Sequence, residues 1–398
     1  MIVGKQSGVV TGKGAGAVNV NSEKTGGNFS QLCIEGMESE AHGTNEFVPI
    51  LYGQTIDQII HDEWHFNHDA ELQDIILKLC FEVKDHRNIL CSISGGYDSD
   101  IMLDMLERFG GHGKTTYIFQ NTGLEYEATK RHVEEIEKRY GVTVKRLRPK
   151  KPIPLCVKEF GVPFWSKYVS GMLQRLQRHG FQWEDKPFEE LYKRYPRCKS
   201  ALRFWCNDFK TESGRISKFN IEYVRGLKEF IIANPPDFLI SPKCCNYAKK
   251  DPAHEYLDAG AFDMNCVGVR KEERGARSTT YTSCFDSRLG ADQFRPLFWM
   301  TDAQKDAYRK HFGITRSDCY EIWGMKRTGC ACCPFGKEFE LELSLAEEYE
   351  PKLFRAAQAI FGKSYEYTKR FLEFRKAMPK EREGVEPDAA EKAVSGGL

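Results

Sequence analysis

The feature that most constrains this chain is Ser94-Gly95-Gly96-Tyr97-Asp98-Ser99, a polar turn set between two apolar runs of different period. Before it, residues 88–93 are short, mostly apolar and bounded by charge, which predicts a buried strand. After it, Ile101, Met102, Met105 and Leu106 recur on one face, which predicts an amphipathic helix over 98–109. A strand that turns straight into a helix leaves the first helical N–H groups unpaired, and the helix dipole favours an anion beside them. Gly95 and Gly96 let the backbone come close to that anion, and Ser94 and Ser99 add hydroxyl donors. The turn therefore reads as a phosphate-binding site.

The alternation continues downstream. A second strand over 115–120 leads into Asn121-Thr122-Gly123-Leu124-Glu125, then a helix to about residue 140 and a third strand over 142–147. This β-α-β-α-β order predicts an α/β fold with a doubly wound, mostly parallel sheet. Such sheets bind ligands at the carboxyl ends of their strands near a switch point, so Ser94–Ser99 and Asn121–Glu125 are expected on one crevice.

The 398 residues allow one large domain with extensions. We divide them into an N-terminal extension (1–54), a nucleotide-binding domain that includes the clustered cysteines (55–336), a helical C-terminal region (337–378) and a charged tail (379–398) expected to be disordered. A hydrophobic content of 41% with 29% charged residues is that of a soluble globular protein, and the net charge of +1 makes no global case for nucleic acid or membrane. No apolar run has membrane-spanning length and the start lacks a long apolar signal stretch, so a cytoplasmic location and no membrane partner are expected. Gly12-Lys13-Gly14-Ala15-Gly16 has no flanking strand and helix, and reads as a loop. His61, His65 and His68 share one face of a predicted helix, but with no further ligand nearby in sequence they read as solvated or capping. The basic run Lys145, Arg146, Arg148, Lys150 and Lys151 fits anion steering and a solvated surface equally well.

Fourteen cysteines in a chain of this class point to metal or redox chemistry where they cluster. Lys243-Cys244-Cys245 and Gly329-Cys330-Ala331-Cys332-Cys333-Pro334 are the two clusters, and Cys330 and Cys333 form a C-x-x-C pair. Four thiolates satisfy zinc or a 4Fe–4S cluster; the adjacent pair suits a cluster better, since separate irons each take one sulfur. Cys332 is left over, either a spare ligand that takes the place of Cys330 or Cys333 or a packed thiol.

The turn SGGYDS lacks the lysine of G-x-x-x-x-G-K-[ST] and instead resembles the PP-loop signature of ATP pyrophosphatases and their sulfonucleotide-binding relatives. The N-T-G-x-E segment after the second strand is similar to that family's. The Cys-Cys pair and distant C-x-x-C resemble those of adenylyl-sulfate (APS) reductases, in which they hold a 4Fe–4S cluster. Val267-Gly268-Val269-Arg270-Lys271-Glu272-Glu273 with Arg277 looks like the family's G-x-R-x-x-E segment. Arg203 with Cys206 and Lys210 resembles R-x-C-x-x-x-x-K, and Arg295 to Asp302 resembles P-L-x-x-W-x-x-x-D, which opens a helix. The similarity runs in order from about residue 85 to 336. It implies the PP-loop (adenine nucleotide α-hydrolase) fold of the phosphoadenosine phosphosulfate (PAPS)/APS reductase-like group. It further implies nucleotide contacts at Ser94, Gly95, Gly96, Asp98, Ser99, Asn121, Thr122, Gly123, Glu125, Arg203, Gly268, Arg270 and Arg277. Catalytic roles fall on Asp98, Lys210 and Arg270, Mg²⁺ is implied near Asp98, and Cys244, Cys245, Cys330 and Cys333 are implied as ligands of a 4Fe–4S cluster, with zinc as the alternative.

The family divides by reaction. Its reductases attack a sulfonucleotide with a tail cysteine, and here no cysteine follows Cys333, so Cys198 or Cys206 would have to serve. The other branch cleaves ATP to AMP and pyrophosphate and passes sulfur to the activated acceptor, as in tRNA thiolation enzymes and the PP-loop protein of DNA phosphorothioation. The resemblance therefore implies ATP or a related adenine nucleotide, a sulfur donor or thiol carrier, and an acceptor left open among tRNA, DNA, a small molecule and a protein. Sulfonucleotide reduction to sulfite and a non-catalytic nucleotide- or cluster-sensing subunit are the alternatives.

Overall fold

In a computed structural model, residues 69–211, 214–273, 280–288, 290–336 and 338–379 are described. The extension with its Gly12–Gly16 stretch, His61, His65, His68, Arg277 and the tail from residue 380 lie outside the described residues.

The sheet has six strands: β1 (Ile89–Ile93), β2 (Thr115–Gln120), β3 (Val144–Leu147), β4 (Met264–Cys266), β5 (Phe285–Asp286) and β6 (Asp292–Phe294). Their order is β3-β2-β1-β4-β6-β5, parallel throughout except for β5, which runs antiparallel on the β6 edge. β1 is central and pairs on both sides, Ile89 lying opposite Thr115 of β2 and Met264 of β4. That position explains its continuous apolar run, with Ile89, Leu90, Cys91 and Ile93 all buried.

Four helices pack against the sheet: α1 (Ala70–Asp85), α2 (Tyr97–Arg108), α3 (Glu127–Tyr140) and, later in the chain, the helix over Asp302–His311. α1 starts where the Asp69 carboxylate accepts the Leu72 N–H at 2.9 Å. α3 stops at Gly141, whose φ of 64° is left-handed, and this delays β3 to Val144 rather than Val142. The chain steps from β1 through β2 to β3 in one direction and then returns to the other side of β1 as β4. The carboxyl ends of β1 and β4 thus flank the switch point, where doubly wound sheets bind ligands.

Between β3 and β4 lie α4 (Ile153–Phe160), α5 (Lys167–Arg178), α6 (Phe188–Arg194), α7 (Lys199–Trp205), α8 (Leu227–Ala233) and α9 (Asp251–Ala259). Most of this stretch closes over a hydrophobic core separate from that of the sheet, with Phe164, Leu173, Leu176, Trp205 and Phe230 at its centre. After the sheet come α10 (Asp302–His311), α11 (Asp318–Glu321), α12 (Phe339–Tyr349) and α13 (Pro351–Ala377). The aromatic positions of α13 are core positions. Tyr367 and Phe371 enter the helical core, while Phe361 and Tyr365 enter a third core with Tyr126, Cys319 and Cys332. No helix among the described residues is long and apolar enough to cross a membrane.

Candidate functional site

The turn after β1 is held in one shape by its own residues. Gly95 has φ of 64°, and a Cβ there would stand 2.8 Å from Thr129 Cγ2 on α3, so only glycine fits. Ser99 Oγ accepts the N–H groups of Ser94 at 3.2 Å and Gly96 at 3.1 Å, and donates to the Gly96 carbonyl at 2.7 Å. Ser99 therefore braces the turn from within, while Ser94 is exposed at its mouth. A Cβ on Gly96 would lie 3.0–3.2 Å from the hydroxyls of Ser94, Tyr320 and Thr328. The segment that carries Thr328, two residues before Cys330, thus lies directly on the turn.

Around Asp98 the side chains form a lattice of opposite charges. Asp98 Oδ1 accepts Arg270 Nε at 3.0 Å and lies 3.0 Å from Lys305 Nζ. Arg270, only 4% exposed, also donates to Asp302 Oδ1 at 2.6 Å and to the Met300 carbonyl at 3.1 Å. Lys305 lies 3.2 Å from Asp302 Oδ1. Burial alone would raise the Asp98 pKa, but Lys305 and Arg270 outweigh it and hold the carboxyl below its usual range. Glu273 hydrogen-bonds Asp98; burial first, then that neighbouring carboxylate, push its pKa up to about 7 against the pull of Arg327 and Arg270. Gly268 packs against this group, a Cβ there lying 3.9 Å from the Asp98 backbone carbon. With Oδ1 bonded to two cations and a carboxyl at its side, Asp98 as arranged here does not fit a divalent ion. Lys305 and Arg327 were not singled out from the sequence, while Glu273 and Asp302 entered only as the closing residues of their motifs, with no site role. The available signal was slight: an Asp and a Lys three apart behind Thr301, a spacing common on solvated helices.

The segment after β2 closes on itself and on the cysteines. The buried Glu125 carboxylate accepts the N–H of Thr122 at 2.8 Å, the N–H of Gly123 at 3.1 Å and the Thr122 hydroxyl at 2.6 Å. Thr122 Oγ1 lies 3.7 Å from Cys330 Sγ, and the Ala331 N–H donates to the Leu124 carbonyl at 2.6 Å. Asn121 caps the bend by accepting the Gly123 N–H at 3.2 Å.

The two cysteine clusters, far apart in sequence, come together. Cys244 and Cys245 are hydrogen-bonded to each other, and Cys244 lies within the electrostatic reach of both Cys330 and Cys333. That hydrogen bond, with burial, pushes the Cys244 thiol well up. Cys245 is drawn down to about 6 by that hydrogen bond and then by Lys167, Lys249 and Lys250. A helical turn at Lys243–Cys245 runs into a π-turn at Asn246–Lys250 before α9, which brings Lys249 beside Cys330, Cys245 and Glu125. Cys332 faces the opposite way. It sits at φ of 52°, is fully buried, donates its N–H to Tyr126 Oη at 3.2 Å and directs its thiol to the Glu342 carbonyl at 3.7 Å. Burial pushes that thiol up to about 12. Among the described residues, no three Cys, His, Asp or Glu side chains converge tightly enough for a single ion. The donor chemistry of Cys244, Cys245, Cys330 and Cys333, soft thiols within mutual electrostatic reach and beside lysines, fits an anionic four-thiolate cluster.

Arg203 and Lys210 lie away in the helical stretch. Arg203 bonds Asp208 at 3.0 Å and stacks over Phe209 at 4.3 Å, and Lys210 is exposed in the following loop. Among the described residues no hydrogen bond or ion pair joins either to the Ser94–Ser99 turn. The basic run is mostly neutralised: Arg146 pairs with Glu137, Lys150 with Glu255, Lys151 with Glu159, and Lys145 sits over the Tyr256 ring.

Residues 88–200 match the phosphoadenosine phosphosulfate reductase domain family. An uncharacterized protein of Methanocaldococcus jannaschii is 35% identical over 80 residues, which are 20% of this chain and 16% of that protein. Similar solved structures include the PAPS reductase of Candida auris in a phosphate complex (TM-score 0.35, 15% identity, 64% of this chain and 87% of that one). They also include the NH3-dependent NAD synthetase of Campylobacter jejuni (TM-score 0.29, 13% identity, 78% and 98%). A third is the U34-tRNA thiolase of Methanococcus maripaludis with its [4Fe-4S] cluster (TM-score 0.28, 13% identity, 78% and 81%). The PAPS reductase-like character read from the turn is thus matched over the segment that contains it.

Proposed function

We propose that this chain binds ATP or a related adenine nucleotide at the Ser94–Ser99 turn and cleaves it to AMP and pyrophosphate, activating an acceptor for sulfur transfer. The observation that carries this reading is the joining of two sites: the turn at the β1/β4 switch point and four thiols reached through Thr328 and Thr122. An acceptor oxygen would attack the α-phosphorus, the bond to the β-phosphate would break, and pyrophosphate would leave. A sulfur nucleophile would then displace AMP from the activated acceptor. The turn's contribution is a rigid backbone cradle, braced by Ser99, that fixes the phosphates relative to the acceptor. Cys244, Cys245, Cys330 and Cys333 would hold a 4Fe–4S cluster, one thiolate to each iron, which when bound would supply an anionic inorganic centre tying the two cysteine segments together beside the turn. No step is assigned to a divalent ion, because Asp98 is already committed to Arg270 and Lys305.

The domain match favours a second reading, reduction of APS or PAPS to sulfite. That chemistry needs a reactive thiolate. Its two candidates are poorly suited: Cys198 and Cys206 bond the carbonyls of Arg175 and Lys186, and burial pushes Cys206 up to about 11. Anaerobically purified protein given ATP, a sulfide source and pooled tRNA or DNA should release AMP and pyrophosphate in equal amounts. Sulfite from APS or PAPS with thioredoxin, and no AMP from ATP, would replace this reading with the reductase. ATP binding with neither product would make the chain a sensing subunit.

A further inference from the structure

We propose that Lys305 is the cation that receives the terminal phosphate or sulfate of a ligand at the Ser94–Ser99 turn, so that anion binding there needs no divalent metal. The inference rests on the nucleotide reading of that turn and adds to it the residue and the charge source.

Lys305 is 7% exposed, so its aliphatic stem is buried and its ammonium group has few places to be. The structure sets that group against Asp98 Oδ1 at 3.0 Å, Asp302 Oδ1 at 3.2 Å and the Tyr97 ring at 4.3 Å. Tyr97 and Asp98 are the first two residues of α2, so the ammonium stands at the helix end that favours an anion. Arg316 and Arg309 also face the Tyr97 ring, at 5.0 and 5.9 Å, making the surroundings of that ring cationic.

Arg270 and Lys305 differ in what they can do next. Arg270 is a planar fork whose three nitrogens all donate, to Asp98, to Asp302 and to the Met300 carbonyl, so it is fixed as part of the frame. Lys305 is a point charge on a flexible stem with three donors, and one of its two carboxylate partners, Asp302, has a side chain 64% exposed. Solvent screens that second hold, and an entering anion of higher charge density competes with it. A divalent ion on Asp98 would instead have to sit beside two buried cations already bonded to the same oxygen.

The test uses full-length protein and equilibrium binding of α,β-methylene-ATP and of inorganic pyrophosphate, each in EDTA and in Mg²⁺. Wild type is expected to bind both ligands with Kd values within about threefold between the two conditions. Lys305→Met should weaken binding at least tenfold, whereas Lys310→Met, on the exposed side of the same helix, should not change it. Asp302→Asn, which releases Lys305 while keeping its charge, should tighten binding in EDTA, and this variant decides the matter if Lys305→Met does not fold. Binding that needs Mg²⁺, or that Lys305→Met leaves intact, overturns the inference while sparing the nucleotide reading. Absence of binding by wild type in both conditions overturns both.

Discussion

Two carboxyls meet at Asp98, and they divide the labour by charge. Asp98 stays ionised between Lys305 and Arg270, while Glu273 is held protonated to about pH 7 by burial and by its neighbour, against a value of 4.5 for an unperturbed glutamate. The sign of the effect on stability follows. A carboxyl raised in the folded state gives its full contribution below about pH 4.5, and that contribution is lost as the pH climbs through about 7. Glu273→Gln should therefore flatten the decline in Tm between pH 5 and 8, by about 3 °C relative to wild type, as read by thermal melts across that range. Asp98 and Arg270 were legible because they sit inside short motifs with a stated chemistry. Glu273 was legible only as part of the same motif, with no hint of its proton, because a titration shift comes from three-dimensional burial. Lys305 carried no mark at all: its helix reads as an ordinary charged surface helix until packing turns one lysine inward.

At the scale of elements, α2 is anchored to its neighbours by a carboxylate with no exposure to solvent. Asp104 accepts the hydroxyls of Tyr140 on α3 and Tyr308 on α10, each at 2.8 Å, and Arg108 Nε at 2.6 Å. Replacing it by alanine removes the buried acceptor shared by a guanidinium and two phenols. Asp104→Ala should cost about 3–5 kcal/mol in a urea unfolding series, and the isosteric Asn less. The strands and helices of this layer were readable in advance, since the buried run of β1 and the apolar face of α2 have unambiguous periods. The aromatic core of α5–α8 was not separable from the rest, because its helices are short and its Phe, Tyr and Trp contacts join segments distant in sequence.

For the whole molecule, the question is which thiols face inward together. The C-x-x-C spacing already favoured Cys330 and Cys333, but only the left-handed backbone at Cys332 shows how the middle cysteine leaves that group. Cys332→Ala should retain the iron, the acid-labile sulfide and the visible absorption of anaerobically purified protein. Cys330→Ser and Cys245→Ser should each lose most of all three. Equal loss in all variants would point to collapse of the Tyr126–Tyr365 core rather than to loss of a ligand.

The long helix α13 reaches into two cores, with Tyr367 4.9 Å from Phe164 and Tyr365 stacked 5.7 Å from Phe339. On the ribosome, where the chain emerges from its N-terminal side, residues near Phe164 must wait for Tyr367 before their own core is sealed. The sheet can be complete well before then. Until that late helix arrives, a nascent chain would present an assembled α/β layer beside open aromatic surface.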